Sequence, residues 1–481
     1  MKLFKITLTA LVFSSLFSCK TSQIKSPAPI YPIPTTDQLA WHELETYAFI
    51  HFTTNTFTGK EWGYGDESPS IVNPTDMNVD QWVKTIKDAG LKAVILTCKH
   101  HDGFVLWPSK YTDHSIAASP YKNGKGDIVK EVSEACKKYS LKFGVYLSPW
   151  DRNRADYGSP SYVEYYRNQL KELFAAYGPI FEMWFDGANG GDGYYGGSKE
   201  KRKINGRSYY DWPKTIELVR DLEPKILFFS DAGPEIRWVG NERGVAGRTN
   251  WNSISRDTLY AGKAGIEGLL NTGHEKGKDW VPAEVDVSIR PGWFYHKEED
   301  DKVKTPEKLF EIYMTSVGRG SNLLLNIPPD RRGQVHENDV KSLLEWRKML
   351  NEKFSNNLAA NAKVTVNSIF NKNTKAQNLC DGDTKTYWAA AENTNSAVVE
   401  LDLGKTQVVN FVEIQEYIAL GQRVKSFALD VWKNNEWKQV AQETTIGYKR
   451  IVEIEKTQTS KIRIRILDAK AAVVLSEVKV W

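Results

Sequence analysis

The feature that most constrains this 481-residue chain is an alternation, from about residue 45 to about residue 350, of short apolar runs with amphipathic stretches. Strands are predicted at Tyr47–Phe52, Ala93–Cys98, Phe143–Leu147, Phe181–Phe185, Ile226–Ser230 and Leu323–Ile327. Helices are predicted at Val79–Ala89, Ile128–Tyr139, Tyr162–Tyr177, Pro213–Leu222 and Pro306–Val317. Such alternation over roughly 300 residues implies a parallel β/α architecture, and the length suits a (β/α)8-like barrel, assigned here to residues 41–355. No glycine-rich phosphate loop opens the first helix, which argues against a dinucleotide-binding sheet. In a barrel all strand C-termini share one mouth. His51 closes the first run, His100 and His101 follow the second, Tyr146 ends the third and Asp186 follows the fourth, so these distant residues should converge.

After about residue 355 the texture changes. Ala397–Leu403, Phe411–Gln415, Phe427–Trp432 and Lys461–Ile466 are short β-rich runs separated by turn-formers, which predicts a C-terminal all-β sandwich (jelly roll) over 356–481. The 64 Lys+Arg and 60 Asp+Glu are interspersed, so the net charge of +4 marks no basic face and no nucleic-acid partner is expected. With 19 Phe, 22 Tyr and 16 Trp the chain is rich in rings that can fill cores or stack on sugars. Its four cysteines, Cys19, Cys98, Cys136 and Cys380, lie too far apart for a zinc site or a disulfide frame.

Residues 1–19 have a positive start at Lys2 and Lys5 and then an apolar stretch too short to span a bilayer, the pattern of a signal peptide. Leu16-Phe17-Ser18-Cys19 resembles the bacterial lipobox. That resemblance implies a lipid on Cys19, contact with a membrane only through that anchor, and a place in the bacterial cell envelope, facing the periplasm or the outer surface. Residues 20–40 are rich in Ser, Pro and Lys, as a tether is.

Phe49-Ile50-His51-Phe52, Glu61-Trp62-Gly63, Lys99-His100-His101-Asp102-Gly103-Phe104 and Trp184-Phe185-Asp186-Gly187 together resemble glycoside hydrolase family 29, the α-L-fucosidases, over roughly residues 40–350. The resemblance implies fucosylated oligosaccharides or glycoproteins as substrates and a retaining double displacement needing no cofactor. By it Asp186 is the nucleophile, and His51, Glu61, Trp62, His100, His101 and Tyr146 line the fucose pocket. Trp293 is a further candidate, as an apolar wall facing the 6-deoxy methyl group. Read without the family, adjacent His100 and His101 could be metal ligands, but no companion ligands have suitable spacing. Hydrogen bonding to sugar hydroxyls suits them better. The small residues Gly187 and Ala188 after Asp186 are expected to leave room for a substrate.

Retention requires a second carboxyl group about 5–5.5 Å from the nucleophile. Three glutamates follow Asp186 in loops: Glu235, which could pair with Arg237; Glu284, which Arg290 could neutralise; and Glu242, beside the apolar Trp238 and Val239. An apolar wall raises a carboxyl pKa, as an acid requires, so Glu242 is preferred and Glu284 is the runner-up. Arg237-Trp238-Val239-Gly240-Asn241-Glu242 also resembles the subgroup that prefers α1,3/4-linked fucose on Lewis-type glycans. A broad-specificity enzyme on simple fucosides, another barrel hydrolase such as an α-galactosidase, and a non-catalytic fucose lectin are the alternatives. Asp381-Gly382-Asp383-Thr384, with Tyr387-Trp388 and Leu401-Asp402-Leu403-Gly404, resembles the discoidin or coagulation-factor type C fold of carbohydrate-binding modules. That resemblance implies a structural calcium near Asp381 and Asp383, although both could simply make the turn. The sandwich is expected to pack or to bind glycan weakly, with little effect on chemistry.

Overall fold

The computed structural model describes residues 26–481; the signal-like segment, Cys19 and the first residues of the tether lie outside them. Eight parallel strands close a barrel in sequence order: β1 Thr46–Ile50, β2 Ala93–Lys99, β3 Lys142–Leu147, β4 Glu182–Trp184, β5 Leu227–Ser230, β6 Ile236–Trp238, β7 Ala283–Ser288 and β8 Asn322–Asn326. β8 pairs back onto β1 with Tyr47 beside Leu324. Helix α1, Thr36–His42, lies mostly within the span assigned to the tether and plugs the floor: Gln38 donates to the carbonyls of Glu235 and Trp280, at 2.9 Å each. The outer helices are α2 Val79–Asp88, α3 Ile128–Lys138, α4 Pro160–Ala176, α5 Trp212–Leu222, a short α6 Glu267–Thr272, α7 Pro306–Thr315 and α8 Glu337–Phe354. Their starts follow local chemistry. Asn78 and Asp127 accept the N–H groups of Gln81 and Lys130, caps that each contribute ~1 kcal/mol.

Two barrel strands were not legible as apolar runs. β6 is only three residues long, is reached from β5 by residues 231–235 with no helix between, and carries the buried Arg237. β7 places Glu284, Asp286 and Ser288 at alternate positions, which interrupts any apolar pattern. All three point to the barrel interior because side chains alternate along a strand. The same alternation sorts the interior into layers. Phe49, Ile95, Trp184, Phe229 and Leu324 fill its middle. Below them Glu182 and Glu284 sit side by side, held by Trp41, Tyr47 and Trp184. Gly144 is required here, since a Cβ would lie 2.4 Å from Ile95 and 2.9 Å from the Glu182 carbonyl. A second core, with Val94, Leu96, Val145, Met183 and Phe228 among its members, packs the barrel against its helices.

The C-terminal domain is all β, with seven strands in one hydrogen-bonded network: β9 Lys363–Val366, β10 Trp388–Ala389, β11 Ala397–Glu416, β12 Val424–Lys433, β13 Glu436–Glu443, β14 Arg450–Ala469 and β15 Val474–Val480. The two runs expected at 397–403 and 411–415 are one strand, β11. It stays paired with β14 through irregularities at 402–407 and 409–411, because bulges bend a strand without ending it. This domain docks on the barrel. Phe354 of α8 meets Phe411 and Trp481 at 5.4 and 4.8 Å, and the buried Lys449 bridges Glu45 and Glu413 at 2.6 and 3.5 Å.

The loops at the mouth rest on a buried ion pair. Lys99, at the end of β2, meets Asp151 at 3.2 Å inside a ring of Tyr162, Tyr165 and Tyr166. Asp151 in turn accepts the amides of Asn153 and Arg154. Lys99→Met should destabilise by ~3–5 kcal/mol, because it leaves a buried carboxylate unpaired. Lys99→Met with Asp151→Asn should recover more than half of that loss in denaturant melts; additive losses would show that the pair is not coupled.

Candidate active site

The strand ends converge on a pocket of about 120 Å³ lined by Phe49, His51, Trp62, His100, His101, Tyr146, Trp184, Asp186, Ala188, Glu242, Asp286 and Trp293. A larger groove, about 480 Å³, lies at the opposite end, beside the strand starts Phe143, Phe181 and Leu227. Its two carboxylates, Asp37 and Glu223, belong to helix ends, and no histidine joins them. Chemistry therefore concentrates in the smaller site.

Asp186 is fixed through both oxygens. Tyr146 donates its hydroxyl to Oδ2 at 2.8 Å and the Ala188 amide donates to Oδ1 at 2.6 Å. Burial, then the negative charge of Asp186, drives the Tyr146 phenol well above its ordinary pKa, so it remains a donor. The space beside Gly187 serves another group. A Cβ there would fall 2.1 Å from the carboxylate of Asp231, so the small residue makes room for Asp231, and Ala188 is the one that faces the pocket. Burial raises Asp231 to about 6.

The three histidines present neutral rings. Burial lowers His51 and His101 to about 4 and lowers His100 well below the usual range. Asn326 donates its amide hydrogens to Ser288 and to the Trp293 carbonyl, so its Oδ1 accepts from His51 Nδ1 at 2.8 Å. Ser148 gives its proton to the Trp150 carbonyl and so accepts from His101 Nδ1 at 2.7 Å. In both rings the proton is on Nδ1, which leaves Nε2 as an acceptor; that of His101 is 3.9 Å from Asp186. Asp102 anchors the loop carrying His100 and His101, accepting from Thr53, Thr54 and the Phe104 amide at 2.6, 2.8 and 2.9 Å.

Glu242 stands at the accessible rim. Protein packed on its inner side, reinforced by the charges of Asp186 and Glu61, raises its carboxyl above the ordinary range, while a 3.3 Å hydrogen bond from Trp293 Nε1 partly offsets this. The other two glutamates lie elsewhere. Glu235 pairs with Arg220 at 2.6 Å, not with Arg237, whose guanidinium is spent on Asn250 and on the carbonyls of Leu270, Val281 and Trp251. Glu284 lies deep in the barrel, bonded to Tyr47 and Trp184. Arg290 does not reach it, being paired with Asp339 and Asp300. Burial raises Glu284 to about 7 and holds Glu182 well above the ordinary carboxylate range.

Glu61 is not part of the lining. Its carboxylate accepts the amides of Trp293 and Phe294 and meets His296 at 2.6 Å, so it shapes the loop that presents Trp293. Trp62 is 55 % exposed and sets its edge on His101 and Trp150. Arg152 secures it, binding the Trp62 and Gly63 carbonyls on one side and Asp192 on the other. Asp286 and Trp184 were missed as lining residues. The alternate polar positions of β7 were the signal for Asp286, which accepts from Trp238 at 2.7 Å.

A family model described as alpha-L-fucosidase matches residues 30–353, and one for the F5/8 type C domain matches residues 362–477. Alpha-L-fucosidase 1 of Arabidopsis thaliana is 42% identical over 459 residues, covering 93% of this chain and 88% of that protein. Two solved structures are similar along nearly the whole length. A glycoside hydrolase 29 family member from an unknown rumen bacterium is 42% identical, with a TM-score of 0.85 over 95% of this chain and 78% of that one. A Ruminococcus gnavus GH29 fucosidase in complex with fucose is 33% identical, with a TM-score of 0.86 over 96% and 97%.

The lowered imidazoles set a pH test. The unfolded chain protonates its histidines below about 6.5, while the folded rings of His51 and His101 stay neutral down to about 4. Each therefore withdraws stability as the pH falls through that window, at up to ~1.4 kcal/mol per pH unit. The stability of the native protein relative to His101→Gln should fall from pH 6.5 to 4 and level off below. A flat difference would show that His101 titrates normally.

Proposed function

Because the chain belongs to the α-L-fucosidase family of glycoside hydrolases, we propose that it is a retaining exo-fucosidase in which Asp186 is the nucleophile and Glu242 the acid/base. The observation that carries this reading is a carboxylate immobilised through both oxygens, sharing a small pocket with a rim carboxyl of raised pKa. Asp186 attacks the anomeric carbon as the glycosidic bond breaks, and Glu242 gives its proton to the departing oxygen. The ionised Glu242 then takes a proton from a water whose oxygen bonds the anomeric carbon as the bond to Asp186 breaks, which frees the Asp186 carboxylate and releases fucose with retained configuration. The Nε2 acceptors of His51 and His101, with His100, read the hydroxyl pattern of one sugar. Trp293 and Phe49 offer an apolar wall to the 6-methyl group. No cofactor takes part in this scheme.

For the leaving group we favour α1,3/4-linked fucose on branched glycans. A single-sugar pocket rimmed by the exposed Trp62 leaves a ring surface for the rest of the glycan. Lipid anchoring through Cys19 in the bacterial envelope belongs to the same reading, as a way to meet glycans outside the cytoplasm.

Calcium in the C-terminal domain is a further part of the proposal, with a changed donor. Asp381 and Asp383 spend their carboxylates on the turn, accepting from the Asp383 and Lys385 amides and from Thr386. Glu477, close to Asp381, is fully buried, and burial raises it to about 7 although the Lys479 charge and the Gly382 amide work against the rise. Among the described residues no three acidic, His or Cys side chains group as metal ligands, so the cation would rely on Glu477 and backbone carbonyls, a donor set calcium accepts. Millimolar calcium should raise the Tm, and Glu477→Gln should abolish the rise; an unchanged Tm in the native protein would dismiss the site.

Asp186→Asn should lower kcat/KM by about 10³-fold or more while fucose still binds. Glu242→Ala should lose activity on a Lewis trisaccharide far more than on fucosyl fluoride, whose leaving group needs no proton, and azide should restore turnover. Glu284→Ala, acting from the core, should lose stability instead. The trisaccharide's kcat/KM should decline as pH rises through the Glu242 pKa, a limb absent with the fluoride. Binding without release would favour a lectin, release of galactose another hydrolase, and a preference for aryl fucosides the broad-specificity enzyme.

A further inference from the structure

The segment from β6 to β7, residues 239–282, has an unusual task. Its two strands are parallel, so it must return from the mouth, where it carries Glu242, to the floor where β7 begins. At the mouth Asn271 closes the loop, donating to the carbonyls of Val239 and Val245 at 3.2 and 3.1 Å, and Asn241 adds a bond to Val245 at 2.8 Å. A few residues on, the root of the loop passes into the domain interface.

Residues 248–252 are neither helix nor strand, so their buried backbone groups need partners from outside. The C-terminal domain supplies four of them, while the Trp251 amide donates to the Thr272 carbonyl and the Asn252 carbonyl accepts from the Val281 amide. Thr445 accepts the Asn250 amide at 2.8 Å. Gln422 donates to the Asn250 carbonyl at 2.9 Å and accepts the Asn252 amide at 2.8 Å, taking the place of a neighbouring strand. Thr444 and Arg450 both donate to the Arg248 carbonyl at 2.8 Å. From the other side Arg237 of β6 grips the Asn250 side chain and the Trp251 carbonyl at 3.1 and 2.9 Å. Asn250, Asn252, Gln422 and Thr445 are all at most 3 % exposed. The root is thus held between β6 and the C-terminal domain, and Gly247 ties it to Asn271, bonding that residue's carbonyl at 3.3 Å.

We propose that the C-terminal domain is a working part of the catalytic site, with Gln422 and Thr445 as positioning residues that hold the root of the loop bearing Glu242. This rests on Glu242 being the proton donor. It replaces the expectation that the domain has little effect on chemistry, since removing it would take from the loop root the bonds made by Gln422, Thr444, Thr445 and Arg450 and leave it held from the barrel side alone. A small displacement of a proton donor costs turnover only where a proton must be delivered, so the loss depends on the leaving group.

The test uses the full chain, well below its melting temperature, with kcat/KM for a Lewis trisaccharide and for fucosyl fluoride. Gln422→Ala, and independently Thr445→Val, should lower the trisaccharide value about tenfold or more and the fluoride value by no more than about twofold. Phe411→Leu, which loosens the same interface away from the segment, should change the two substrates equally. Equal losses on both substrates in Gln422→Ala and Thr445→Val, or no loss, would overturn the proposal and leave the clamp a packing feature. Glu242→Ala separates the two readings. If it shows no selective loss of the trisaccharide, the acid/base assignment and this proposal both fall; if it does and the interface variants do not, only the proposal falls.

Discussion

Closure of the parallel barrel is the constraint on which the rest depends. Every strand runs the same way, so every strand end opens at one mouth, and alternation along each strand fixes which side chains enter the interior. His51, Tyr146, Asp186, Asp286 and Asn326 come from five different strands or their ends, yet form one polar layer above the ring of Phe49, Trp184, Phe229 and Leu324. That aromatic layer separates the pocket from Glu182 and Glu284 beneath.

Two groups of carboxylates thus share one barrel in different surroundings. Beneath, burial with no cationic partner among the described residues pushes Glu182 and Glu284 toward the protonated form, and Trp41, Tyr47 and Trp184 donate to Glu182 Oε2 and to both oxygens of Glu284. At the mouth Asp186 has two donors and partial access to water, while Glu242 pairs with no cation among the described residues and leans on Trp293. In the proposed double displacement the rim carboxyl must carry a proton, and the protein packed on the inner side of Glu242 favours that state. The neutral histidines suit that proposal, because an imidazolium beside Asp186 would pair with the carboxylate proposed to attack.

The two domains also divide the work differently from their sequence signatures. The barrel provides the pocket, but β5 and β6 are joined without a helix, and the root of the long return from β6 is covered on one side by the C-terminal domain. The sheet domain fills a gap in the helical ring while satisfying backbone groups that a ring helix would have satisfied within itself.

Much of this was legible in the chain. Period-two apolar runs and capped amphipathic helices are local patterns, so the sequence alone determined the β/α class, the all-β C-terminal part, and the placing of His51, His100, His101, Tyr146 and Asp186 at strand ends. β6 escaped because it is only three residues long and carries the outward-facing Arg237 at its centre, whose partners lie in the segment that follows it, and β7 escaped because its interior positions Glu284 and Asp286 are polar and find partners only in a closed barrel. Tertiary structure decided which of Glu235, Glu242 and Glu284 faces the pocket, that Glu61 props a loop, that Gly187 yields to Asp231, and that Gln422 reaches Asn250. Each of these depends on burial and on partners many residues away, and such long-range contacts leave no periodicity in the sequence for a reader to find.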